Sequence, residues 1–220
     1  MDKEYVSKLE GVIRQMLTPL KELPLDVVIQ ALCGHKVIPF DPTNQQDIRL
    51  LDKLKTVASE AAKDVNSVGI RRNRPNEVGN DIEPFVQRAL QRNGLTAHVP
   101  TTARGKHKST GYPDLEFHDE QGSVHYLECK TFNRENIDTT QRSFYLSPSD
   151  DFKITRDAHH FVLSYEIVAE GRDGRDQVYK CVAWKLLSIS DLKVDVKYEF
   201  NSDNSRLYSK HLILAEGSLA

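Results

Sequence analysis

Residues 112–132 read YPDLEFHDEQGSVHYLECKTF, two short runs of alternating apolar and polar side chains around the turn-forming DEQG. Side chains along a strand point to opposite faces in turn, so Leu115 and Phe117 share one face while Asp114 and Glu116 share the other. In the second run Leu127 and Cys129 likewise oppose Tyr126, Glu128 and Lys130. Each strand therefore buries an apolar face and presents acid on its reverse. Pairing the two as a hairpin lets Asp114 and Glu128 converge near the strand ends, with Lys130 one step beyond.

Two convergent carboxylates repel each other unless a cation lies between them. Hard oxygen ligands with room for water and phosphate suit Mg²⁺, with Mn²⁺ as its substitute. The backbone carbonyl of Cys129 offers a third oxygen, while its thiol faces the core. A lysine beside such a site fits phosphodiester hydrolysis. The metal lowers the pKa of water and stabilises charge at the phosphorus, and the Lys130 ammonium orients that water and the scissile phosphate or helps take its proton.

The arrangement Pro113-Asp114 … Glu128-Cys129-Lys130, on successive strands joined by a turn, resembles the PD-(D/E)xK nuclease superfamily, and within it the type II restriction endonucleases. The resemblance covers about residues 75–170. In many members a glutamate on the helix before the first core strand reaches the metal, often four residues after a glycine. Here Gly79-Asn80-Asp81-Ile82-Glu83 looks like that segment and points to Glu83, with Glu77, near the N-cap, as the competing acid.

That helix is GNDIEPFVQRALQRNG, whose apolar face is Ile82, Phe85, Val86, Ala89 and Leu90 and whose stop is Gly94; Pro84 is expected in its first turn. Upstream, Tyr5, Leu9, Ile13 and Leu17 recur at spacing four. Leu25, Val28, Ile29 and Leu32 precede the stop Cys33-Gly34, and a third helix spans about Asp47 to Val65. The segment GIRRNRPNE at 69–77 reads as helix-poor and basic. Downstream the runs LTAHVPT, FVLSYEIV, QVYKCVAWKLL and KVDVKYEF read as further strands, the middle pair turning at GRDGRD. Residues 133–152 are too long for a structureless loop, so a short helix or a functional loop is expected there.

Charge is distributed unevenly beneath a formal total of −2. Residues 71–109 carry 8 basic and 3 acidic side chains, against 9 and 10 before them and 13 and 19 after. This local excess suits one face meeting phosphates but excludes a polyelectrolyte binder. Arg71, Arg72 and Arg74 precede the helix, and Arg104, Lys106, His107, Lys108 and Ser109 lie in the connection leading to Asp114; all are candidate DNA contacts. After Lys130, Asn133, Arg134, Gln141 and Arg142 are side-chain types that read base edges, and Lys153 is a candidate phosphate contact or a solvated lysine. The adjacent His159 and His160 should point to opposite faces, which argues against a shared metal. Three separated cysteines support neither a disulfide framework nor a zinc knuckle.

These readings give an α/β fold, restriction-endonuclease-like, with a mixed central β-sheet flanked by helices and an N-terminal helical region over 1–70 packed on a nuclease core over 71–220. The resemblance implies Mg²⁺-dependent cleavage of double-stranded DNA at a short sequence, leaving 5′-phosphate ends, by a homodimer whose companion is a cognate DNA methyltransferase. A structure-specific repair or recombination nuclease and a non-catalytic DNA-binding protein are the alternatives. No bilayer-spanning run occurs and the N-terminus is too charged for a signal peptide, so a cytoplasmic, prokaryotic setting is expected.

Overall fold

The structure, a computed structural model, describes residues 2–18, 20–74, 77–108, 110–139, 142–197 and 202–214. Residues 24–193 form one compact unit, and residues 1–23 with 194–220 form a second. In the second unit α1 (Lys3–Met16) starts at Asp2, whose side chain accepts from the Glu4 N–H, and α5 (Asn204–Leu207) is a single turn capped by Asp203. Two short strands, β1 (Leu23–Pro24) and β8 (Lys193–Val194), pair with each other. Only Lys193–Val194 of the expected strand KVDVKYEF forms one; beyond it the Val196 N–H donates to the Leu20 carbonyl at 2.8 Å without extending the strand, and 198–200 lie outside the described residues. An isolated backbone hydrogen bond does not make a ladder, whatever the alternation of the side chains.

The larger unit is built on a six-stranded mixed sheet in the order β2–β7–β6–β5–β4–β3. Its strands are β2 (Ile70–Arg72), β3 (Thr96–His98), β4 (Leu115–His118), β5 (Val124–Phe132), β6 (His159–Asp173) and β7 (Asp176–Ser188). Only β5 and β6 run parallel; every other adjacent pair is antiparallel. The β4–β5 hairpin turns through Asp119–Gly122, where the Asp119 carboxylate accepts from the N–H groups of Gln121 and Ser123. The β6–β7 hairpin turns on Gly174-Arg175, with Gly174 at φ 63°, as a two-residue connection requires.

Helix α2 (Leu25–Cys33) stops at Gly34 in the left-handed conformation. Helix α3 (Gln45–Val68) is capped by Asn44 and buries Leu50, Leu54, Val57, Ala58, Ala61 and Val65 along one stripe. Helix α4 (Val78–Arg92) buries Val78, Ile82, Val86, Ala89 and Leu90. These stripes meet Leu115, Phe117, Leu127, Cys129, Phe161, Leu163 and Tyr165 in a single core on one face of the sheet. Burying each large side chain there contributes about 2 kcal/mol.

One sequence expectation needs correction. Pro84 is the seventh residue of α4 rather than in its first turn; the chain stays helical through it, at the cost of one backbone hydrogen bond. The helix-poor basic stretch starts as a strand, β2, over Ile70–Arg72, where Ile70 is buried opposite Tyr179 and Gly69 lies so close to Val178 that a Cβ would sit 2.6 Å from its Cγ1. Within 133–152 the described regular structure is one short 3₁₀ turn, Arg134–Asn136. No helix among the described residues is long and apolar enough to cross a membrane.

Candidate active site

The β4–β5 register pairs Leu115 with Leu127, so Asp114, one residue earlier, falls opposite Glu128. Asp114 is pinned there because the Cys129 N–H donates to its Oδ2 at 2.8 Å. Lys130, two residues along the same face of β5, donates from Nζ to Glu128 Oε1 at 2.5 Å. The other oxygen of Glu128, Oε2, is buried and has no hydrogen-bond partner among the described residues. Cys129 turns its side chain into the core, as alternation requires.

Helix α4 brings Glu83 into the same electrostatic cluster. Burial, and then the Asp114 charge, pushes the Glu83 carboxyl up to about 7, while Lys153 and Lys130 pull it down. Glu128 is pushed up to about 7 by burial and then by Asp114, and Asp114 is itself raised by burial. Burial pulls the Lys130 ammonium down, yet Glu128 and Asp114 hold it above its ordinary range, so it stays charged at neutral pH. The competing Glu77 occupies the N-cap position of α4 without a side-chain capping bond, in the vicinity of Arg72 and Tyr179. The geometry thus favours Glu83 over Glu77 as the carboxylate beside Asp114.

Three carboxylates with raised pKa values and one orphaned buried oxygen mark a site short of positive charge. A desolvated carboxylate oxygen without a donor is costly, and a divalent cation coordinated by oxygen would satisfy it. The donor set fits a hard metal on that ground.

Lys153 is neither solvated nor turned outward. It is 4% exposed, and its Nζ donates to the carbonyls of Gly111 at 2.7 Å and Pro113 at 3.0 Å, beside the cis Tyr112–Pro113 peptide. Its ammonium thereby holds the segment that delivers Asp114, and burial lowers its pKa against the pull of Asp114, Glu128 and Glu83. The residue that organises this region is Asp151, which sequence reading did not single out. It accepts from Thr102 Oγ1 at 2.8 Å and from the Arg104 N–H at 3.0 Å, while the Ala103 N–H donates to the Phe152 carbonyl. A lone aspartate in a polar stretch carries no signal for such a long-range clip.

The remaining candidate DNA contacts are dispersed. Arg71 pairs with Asp173 at 2.7 Å, and Arg72 makes a bidentate pair with Asp81 at 2.6 Å, so both charges are already matched within the chain. Arg74, Arg104, Lys106 and His107 are exposed, the last three in the loop that Asp151 clips. Lys108 donates to Ser149 and to the Asp151 carbonyl. Asn133 caps the 3₁₀ turn, Arg134 reaches Glu166 at 2.8 Å, and Arg142 stacks over Tyr145. Ser109 and Gln141 lie outside the described residues.

His159 and His160 do point to opposite faces. His159 stacks on His125 with ring centroids 5.4 Å apart, whereas His160 Nδ1 meets the Tyr112 hydroxyl at 2.6 Å.

The chain is similar to known proteins over nearly its whole length. A family described as the type II restriction enzyme MjaV family matches residues 19–211. The curated type II restriction enzyme MjaV of Methanocaldococcus jannaschii is 38% identical over 233 aligned positions, covering 99% of each chain. No solved structure matches.

Proposed function

Because the chain belongs to the MjaV family of type II restriction enzymes, and is therefore a site-specific deoxyribonuclease, we propose that Asp114, Glu128 and Lys130 are its catalytic centre, with Glu83 assisting. The reaction is Mg²⁺-dependent hydrolysis of double-stranded DNA at a short specific sequence, with Mn²⁺ able to substitute. The single observation that carries this reading is the convergence of Asp114 on the Cys129 amide beside Glu128 and its unpartnered Oε2, with Lys130 in reach.

Asp114 and Glu128 would hold the cation, with the Cys129 carbonyl as a third oxygen and Glu83 as the neighbouring carboxylate. When bound, the divalent ion supplies Lewis-acid stabilisation of charge on the phosphoryl oxygens and lowers the pKa of water at the site. Lys130, held charged by Glu128, acts as a hydrogen-bond donor that orients the attacking water and the scissile phosphate. Attack in line with the bond to the 3′ oxygen leaves a 5′-phosphate and a 3′-hydroxyl. Lys153 acts through backbone, fixing the carbonyls on either side of the Tyr112–Pro113 peptide and so the approach of Asp114.

The exposed members of the 104–108 loop and Arg74 would meet phosphates, and Asn133, Arg134 and Arg142 would lie toward the groove. A palindromic target calls for two active sites related by a two-fold axis, hence a homodimer, and a methyltransferase of the same specificity would protect host DNA. The test is digestion of a DNA of known sequence with Mg²⁺, followed by sequencing of every end. Discrete fragments whose ends share one motif and carry 5′-phosphate are expected, and none in EDTA. Sequence-independent degradation, or cutting that persists in EDTA, overturns the reading.

A further inference from the structure

The sheet ends in a short edge strand, and its pairing places three metal-ligating side chains together. In the antiparallel β3–β4 register His98 lies opposite Glu116 and Thr96 opposite His118, so the two imidazoles flank one carboxylate on one face. Glu116 Oε1 lies 3.1 Å from His118 Nε2 and 3.6 Å from His98 Nε2, and one ligand atom from each of the three residues lies within 4.8 Å of the others. The rings are 5.9 Å apart and tilted rather than stacked. The Glu116 side chain is 12% exposed, while those of His118 and His98 are 35% and 47% exposed, so the carboxylate is fixed and the rings are open to solvent.

We propose that His98, Glu116 and His118 form a second metal site, taking a borderline transition cation such as Zn²⁺, Co²⁺ or Ni²⁺. In a tetrahedral site with bonds of about 2.0–2.1 Å the ligand atoms stand about 3.3 Å apart. Both carboxylate-to-imidazole separations already match, and rotation of the half-exposed His98 ring closes the third. Two imidazoles and one carboxylate leave a fourth position for water, and imidazole ligands select against Mg²⁺.

This site is separate from the catalytic carboxylates. Glu116 lies two residues from Asp114, a rise of about 7 Å along an extended chain, whereas paired catalytic ions stand only about 4 Å apart. Its occupant would tie β3, three residues long and paired on one side only, to β4. The clamp would add to the two side-chain hydrogen bonds, from Gln87 and Gln91 of α4 to the Ala97 carbonyl, that already hold this edge strand.

The experiment uses the untagged full chain in excess Mg²⁺, titrated with Zn²⁺ by calorimetry and with Co²⁺ by its visible absorption, alongside thermal unfolding. Wild type should bind one equivalent of Zn²⁺ with a rise in unfolding midpoint. His98→Ala and His118→Ala should each weaken that binding by about ten-fold or more, since loss even of a residue that only supports a ligand has that effect. The Asp114→Asn, Glu128→Gln double variant should keep it. Unchanged Zn²⁺ binding in both histidine variants overturns the proposal, as does its disappearance in the double variant alone. Because both rings are half-exposed, metal-free unfolding midpoints of the histidine variants should match wild type and so separate a lost site from a lost fold.

Discussion

Glu128→Gln should stop DNA cleavage and yet make the metal-free protein more stable. The Glu128 side chain is 6% exposed, and its carboxyl is pushed from 4.5 to about 7 by burial and by Asp114, even with Lys130 on its other oxygen. At about 1.36 kcal/mol per pH unit, the ionised carboxylate costs the fold about 3 kcal/mol at pH 8. The unfolded group ionises near 4.5 and the folded group near 7, so this stability is fully present below the lower value and is lost as pH rises through the higher one. Glutamine has nearly the same shape without the charge. Allowing for a weaker hydrogen bond from Lys130, the variant should gain about 2 kcal/mol at pH 8, falling to about 1 kcal/mol or less at pH 5. Urea unfolding in EDTA, followed by the fluorescence of Trp184 in β7, reads the sheet unit directly because Trp184 is the chain's one tryptophan. Contributions from titrating groups that do not interact with Glu128 cancel in the difference between the two proteins, leaving Glu128 with its coupled neighbours Asp114 and Lys130. Adding Mg²⁺ at 100 times its dissociation constant should then stabilise wild type by about 3 kcal/mol and the variant far less. A variant no more stable than wild type at pH 8, or a gain equal at both pH values, would refute the view that Glu128 is held ionised against the fold for a cation.

Lys130→Ala and Asp114→Asn should each retain DNA binding, measured by gel shift in Ca²⁺ or EDTA, and lose cleavage; full Mg²⁺-dependent cutting by either removes that residue from the centre. Lys153→Met leaves two buried carbonyls without their donor and leaves Lys130 alone to offset three carboxylates, so unfolding should cost about 3 kcal/mol less. The same variant's cleavage rate should rise with pH at a higher pH than wild type, and an unshifted pH profile would limit Lys153 to a structural role. His160, held neutral down to about 3 by burial and then by His159, gives stability that is present above pH 6.5 and is lost as pH falls from there. His160→Leu should therefore be about 1 kcal/mol less stable at pH 8 through loss of the Tyr112 hydrogen bond, and more stable than wild type below about pH 6; curves that never cross exclude this.

Much of the centre is legible in 112–132 because its two strands alternate apolar with acidic side chains, although the structure buries Tyr126 and Glu128 on the reverse face of β5 as well. Leu115, Phe117, Leu127 and Cys129 can all be buried only if Asp114, Glu128 and Lys130 take the reverse side, and a slip of one residue would invert every one of them. The local excess of positive charge was harder to interpret. Arg71 and Arg72 belong to it by sequence, but Asp173 and Asp81 neutralise them across 102 and 9 residues of chain. Strand β2 escaped notice because only Ile70 of its three residues is apolar, and its partner β7 lies more than a hundred residues away. The burial of Lys153 and the role of Asp151 escaped for the same reason: nothing within their own polar stretch indicates burial.

By itself, the sequence determined the mixed α/β class, the hairpin that carries the three groups proposed as catalytic, and the helix that carries Glu83. These follow from periodicity and short-range register, which a chain displays in its own order. Tertiary structure alone decided which cations the chain pairs with its own acids, that Lys153 is buried against the Gly111 and Pro113 carbonyls instead of facing solvent, and that His98 meets His118 across Glu116. Those outcomes depend on which distant segments close on one another, and burial and charge pairing are properties of that closure rather than of any single stretch of residues.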